Sequence, residues 1–147
     1  MKSFVVDASV AAKWCLPATG EPLAVEAQEL LDQYARGRIG LVVPDLFWAE
    51  LGNVLWKAVR QNRVTERDAE ASIVRVRQLG LLVVPAANLL VEALTVALSS
   101  GRSVYDCLYI VTAMAKRVLL LTADERLVNA TGVRFPVQWL GALPGIL

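Results

Sequence analysis

The chain has no histidine and only two cysteines among its 147 residues. Cys15 and Cys107 lie far apart in apolar surroundings and form no C-x-x-C pair, which argues against a zinc site and suits a pair of small, reduced, buried thiols. Without histidine, acid–base or metal chemistry must rest on carboxylates, hydroxyls, lysines or tyrosines. A charge excess is also missing. Fifteen Lys and Arg stand against 14 Asp and Glu, a net of +1, so no whole-chain basic footprint marks a polyanion binder. Pro/Gly/Ser-rich linkers, low-complexity stretches and solenoid repeats are absent. Residues 1–147 therefore read as one domain, long enough to bury a core without disulfides.

Long charge-free apolar runs are lacking too. Mean hydropathy is +0.49, yet the most apolar stretch, "QLGLLVVPAANLLVEALTVALSS", is broken by Pro85, Asn88 and Glu92 before it reaches the length of a bilayer span. Asp7 cuts the first hydrophobic run short of a signal core, so a cytoplasmic location is expected. The surplus of apolar residues then points to a buried partner surface, either a dimer or a second protein.

What the sequence does hold is an alternation of short apolar runs with helical patterns. Strands are predicted at 3–6, 39–43, 81–84, 118–122 and, more weakly, 137–140. Helices are predicted after Asp7, from about Pro22 to Arg36, from Pro44, from Thr65 with the capping box "TERD", from Asn88 to near Gly101, and from Ser103 through Arg117. Continuous β-branched runs between helices predict a three-layer α/β/α sandwich with a mostly parallel sheet. Ligands gather beyond the carboxyl ends of such strands. Asp7 and Asp124 both follow strands and so share that rim.

On the helix from Pro44, a 100° repeat turns Phe47, Leu51, Val54, Leu55 and Ala58 inward and sets Glu50, Asn53 and Lys57 on the flank beside them. On the helix from Ser103, Asp106 shares an arc with Tyr109, Ile110, Ala113 and Arg117. Plainer readings exist for each acid. Asp7 or Ser9 can cap the helix that follows, "SVYD" has capping-box spacing, and Glu50 can be a surface residue on an amphipathic helix. In "TADE" the box assigns Thr122 as cap and Glu125 as its partner, leaving Asp124 without a capping task.

If Asp7, Glu50, Asp106 and Asp124 converge, their charges oppose one another's ionisation and require a counterion. All-oxygen donors select a hard divalent ion, Mg²⁺ or Mn²⁺, and hard ions held by acids alone serve phosphodiester chemistry. Lys57, Arg60, Arg63 and Arg67 have a spacing that tracks a phosphate backbone, although Glu66, Asp68 and Glu70 follow closely and suit a solvated hairpin equally. Trp48 and Trp56 suit a core or a protein interface better than base stacking. Two other classes fit less well. A receiver-like regulatory domain calls for paired early acids and a lysine after a late strand, whereas here Asp7 is single and Lys116 precedes its strand. A phosphatase with Asp7 as nucleophile calls for an acid where Ser9 stands.

The ordered pieces "VVDASV", "VPDLFWAELGNVL", "VYDCLYIVTA" and "LLLTADERL" resemble those of PIN-domain ribonucleases, in particular the VapC-like toxins of toxin–antitoxin pairs. That resemblance implies the acidic quartet Asp7, Glu50, Asp106 and Asp124 as Mg²⁺ or Mn²⁺ ligands, supported by Ser9, Asn53 and Thr122. It also implies an RNA substrate, a homodimer and a cognate antitoxin that blocks the cleft. Cys107 departs from the family pattern, standing where a small residue such as alanine is usual. A housekeeping nuclease in RNA maturation and a non-catalytic Mg²⁺-binding domain of the same fold remain as alternatives.

Overall fold

The computed structural model describes all 147 residues. Five parallel strands form one sheet: β1 (Lys2–Val6), β2 (Ile39–Pro44), β3 (Leu82–Val84), β4 (Leu119–Thr122) and β5 (Val137–Trp139), in the order β3-β2-β1-β4-β5. The chain builds outward from β1 on one side, then returns to its other side for β4 and β5. The reversal lies between β1 and β4, and their loops diverge there to leave a crevice at the carboxyl edge. This is the predicted α/β/α architecture, with each strand end within one residue of its expected place.

The helices are α1 (Ala8–Cys15), α2 (Ala24–Ala35), α3 (Leu46–Arg60), α4 (Glu66–Gln78), α5 (Leu90–Ser100), α6 (Val104–Lys116) and α7 (Glu125–Thr131). Phe4, Val5 and Val6 of β1 are fully buried, as are Leu120 and Leu121 of β4. Central strands of a covered parallel sheet are expected to be continuously apolar in this way. Phe47, Leu51 and Leu55 seat α3 on the sheet, and Ile110 and Ala113 seat α6. Burying each such side chain contributes roughly 1.5–3 kcal/mol. Val54 lies half-buried at the edge of that arc and lines the cleft described below. Arg117 is exposed, because the chain leaves α6 there through a left-handed residue (φ 56°).

Two predicted caps hold. Thr65 accepts from the Asp68 amide and Ser103 from the Asp106 amide, both at 3.1 Å. Asn88 does not cap α5. It lies inside a 3₁₀ turn over Ala86–Leu89, whose first amide, that of Ala86, donates to the Asp45 carboxylate at 3.1 Å. Trp48 packs edge-on against Phe47, whereas Trp56 is exposed beneath the Arg60 guanidinium. No helix is long and apolar enough to cross a membrane.

Candidate active site

Asp7 is the first residue after β1 and the N-cap of α1. Its Oδ1 accepts from the Ser9 amide at 2.9 Å and from the Ser9 hydroxyl. The cap is therefore Asp7 itself, with Ser9 as donor, rather than Ser9. Ser9 Oγ also accepts from the Ala123 amide at 3.1 Å, which ties the loop after β1 to the loop after β4. Thr122 ends β4 fully buried and takes the Asp124 amide at 3.1 Å. The predicted "TADE" box is not formed, because Asp124 does the capping: its Oδ1 accepts from the Arg126 and Leu127 amides at 2.9 and 3.3 Å. A carboxylate beside the positive end of α7 outcompetes a hydroxyl two residues earlier.

Glu50 points from α3 and Asp106 from the first turn of α6 toward the same crevice. Asp7, Glu50, Asp106 and Asp124 all line one cleft of about 460 Å³, together with Ser9, Asn53, Lys57, Tyr105 and Tyr109. Four acids from four separate elements thus share one cavity at the point where the sheet reverses. As the side chains stand, no three of them close on a common point. Asp106 and Asp124 are drawn instead to Arg102, whose Nη2 lies 3.1 Å from Asp106 Oδ2 and 3.3 Å from Asp124 Oδ2.

The electrostatics differ along the cleft. Asp7 is only 8% exposed, and burial pushes its carboxyl up to about 6 against the pull of hydrogen bonds from Ser9, Thr122 and nearby backbone. Burial also lifts Glu50; the Tyr109 hydroxyl opposes that rise and the Asp106 charge adds to it. Tyr109 is itself raised, by burial first and then by the Glu50 charge, so its phenol stays protonated. The phenol stands near enough to Glu50 to act on its charge. Even so, neither the Tyr109 hydroxyl nor Glu50 Oε1 has a partner in proper hydrogen-bond geometry, and both are buried.

An orphaned buried carboxylate oxygen is expensive, by about 1–3 kcal/mol or more for a charged group. A cation in the cleft would relieve that cost. The donors are exclusively oxygen, which matches Mg²⁺ or Mn²⁺ and not a thiolate- or imidazole-seeking metal. The residues therefore fit a hard divalent ion, which the four acids would hold and for which Glu50 Oε1 would supply a donor now lacking a partner.

Of the predicted basic strip, only Lys57 reaches the cleft. Arg60 stacks on Trp56, Arg63 pairs with Glu21 at 2.8 Å, and Arg67 lies exposed on α4. Sequence reasoning missed Arg102 and gave Tyr109 no task. Arg102 lies in the loop between α5 and α6, outside either helical repeat, so its spacing from Asp106 carries no helix-face signal.

The PIN-domain family model matches residues 4–133. The chain belongs to the PIN-domain family. Ribonuclease VapC1 of Mycobacterium tuberculosis is 36% identical over 90 residues, covering 61% of this chain and 67% of that protein. Among solved structures, PAE2754 of Pyrobaculum aerophilum superposes with a TM-score of 0.70 at 24% identity, over 97% of this chain and 86% of that one. A toxin–antitoxin complex from Klebsiella pneumoniae gives 0.60 at 15% identity, over 91% and 94%. At these identities the two structures speak for the fold. The PIN match spans all four acids.

Proposed function

We propose that this PIN domain is a divalent-metal-dependent endoribonuclease, a hydrolase of RNA phosphodiester bonds, and the toxin of a toxin–antitoxin pair. The observation that carries the reading is the meeting of Asp7, Glu50, Asp106 and Asp124 on one cleft. The ribonuclease name of the M. tuberculosis relative supports it, and the Klebsiella assembly supports an antitoxin partner. Mg²⁺ or Mn²⁺ bound among these acids supplies a Lewis acid that lowers the pKa of an attacking water and offsets charge on the phosphate oxygens. Asp7 is held by the two Ser9 donors in a fixed direction at the sheet edge, and Ser9 and Thr122 lock the loops that carry Asp7 and Asp124. Asn53 and Lys57 offer a neutral donor and a cation to RNA at the rim.

In this reading the protein works in the cytoplasm as a homodimer. The outer face of α5 exposes Leu90, Val91, Leu94 and Leu98, Leu98 at 80%, which is the kind of apolar surface a second copy covers. The test is incubation of purified protein with end-labelled single-stranded RNA and Mn²⁺, with Asp106→Asn as control. Internal cleavage by the native chain alone supports the proposal, and cleavage at equal rate by the variant contradicts it. Sequencing cut RNA ends after expression with and without an adjacent antitoxin gene separates a toxin from an RNA-maturation enzyme.

A further inference from the structure

Behind the acidic cleft lies a second cavity of about 650 Å³, and Asp124 lines both. Arg102 lines only the second, together with Arg126 and Trp139. It is placed there by Gly101, whose left-handed backbone (φ 73°) ends α5 and turns the chain toward α6, and by the Arg102 amide, which donates to Ser100 Oγ at 3.2 Å. One nitrogen, Nη2, is shared between Asp106 Oδ2 and Asp124 Oδ2, while Nε is buried without a partner. A single positive group between two carboxylates from different elements supplies charge that a second metal ion would otherwise supply there. Here a side chain holds that position.

We propose that Arg102 is the fixed second cation of the site, so that the cleft takes one divalent ion per chain rather than two. This inference rests on the metal-dependent reading above and specifies it. Charge supports it. Four carboxylates are balanced by Arg102 beside the cleft, Lys57 within it and one divalent ion, and a second ion would leave these groups net positive before substrate arrives. An arginine fork also offers a planar pair of donors to phosphate, which suits a backbone running from the acidic cleft into the second cavity. Arg102 is thus a positioning residue that fixes Asp106 and Asp124.

The experiment is a Mn²⁺ titration of the metal-free chain, with free ion counted by its electron paramagnetic resonance signal. The expected result is one ion per chain for the native protein and for Arg102→Lys, and two for Arg102→Met, which keeps the aliphatic stem and removes the charge. Lys57→Met changes affinity without changing the count, which separates a bridging role from general electrostatics. Two ions in the native chain, or one in a folded Arg102→Met variant, overturn the inference and leave the nuclease reading intact. If Arg102→Met fails to fold by circular dichroism, Arg102→Gln takes its place. No binding by the native chain or the variants overturns the metal reading itself, and this inference with it.

Discussion

The two ends of the acidic cleft treat the same chemical group in opposite ways. At one end Asp7 is buried, held by neutral donors, and shifted toward protonation. At the other, Asp106 and Asp124 are roughly a third exposed and share a guanidinium. The dry end stores unfavourable electrostatic energy that a bound ion can release. The wet end has its compensation built in. An acidic quartet is therefore not four equivalent ligands, and each member should respond differently to mutation, pH and metal.

Mutation of Asp7 is expected to have the largest effect. Asp7→Asn keeps an oxygen for the Ser9 donors and so keeps the cap, but it removes the charge that faces the ion. RNA cleavage should fall by about 10²- to 10³-fold, on the scale of losing a key electrostatic group from a catalytic site. A thermal melt should show the fold intact or stabilised. Near-native cleavage by this variant would mean that the dry end has no catalytic part.

The next effect is in pH. In its folded state Asp7 holds its proton to about 6, against 3.8 for an ordinary aspartate, and Glu50 shifts in the same direction. A carboxyl whose folded pKa is raised favours the native state fully below the unfolded value, and that contribution is lost as pH rises through the folded value. The Asp7 rise is worth about 3 kcal/mol at most. Urea unfolding in chelator should show stability falling between pH 4 and pH 6.5, and Asp7→Asn should flatten the fall. A native curve no steeper than that of Asp7→Asn over this range would place Asp7 in a solvated environment.

A smaller contrast separates the members of the wet pair. Asp124→Ala removes the cap of α7 and should cost about 1 kcal/mol. Asp106→Ala removes no cap, because Ser103 caps α6, and should cost under about 0.5 kcal/mol, as for a partly exposed ion pair. Equal costs by chemical denaturation would remove the distinction. Tyr109→Phe differs in sign, since it deletes a buried hydroxyl with no proper partner and should leave stability within about 1 kcal/mol or raise it.

Much of this was legible in the sequence because it followed from local patterning. The runs "SFVV" and "VLLLT" are buried strands because both faces of the sheet are covered, and "TERD" and "SVYD" cap helices because hydroxyl and amide lie three residues apart. "TADE" misled because two good caps compete within it and only the path of the backbone decides between them. Asn88 misled because the chain makes a 3₁₀ turn over Ala86–Leu89 before α5 begins, which puts Asn88 inside that turn rather than at the helix end. Arg102 went unseen since an arginine in a short loop has no periodicity, and its partner Asp124 is 22 residues away. The side chains that meet at the cleft could be nominated from type and order. Which of them are dry, and which already have a counterion, depends on tertiary burial that one sequence does not display.

The central claim is that the acids at the carboxyl edge of β1 and β4 hold a hard cation. It is tested most directly by anomalous X-ray diffraction from crystals of the native chain grown with Mn²⁺. The account predicts a strong anomalous peak in the cleft within coordination distance of an Asp7 carboxylate oxygen. A cleft without a peak at saturating Mn²⁺, or with the ion bound elsewhere on the surface, would contradict it.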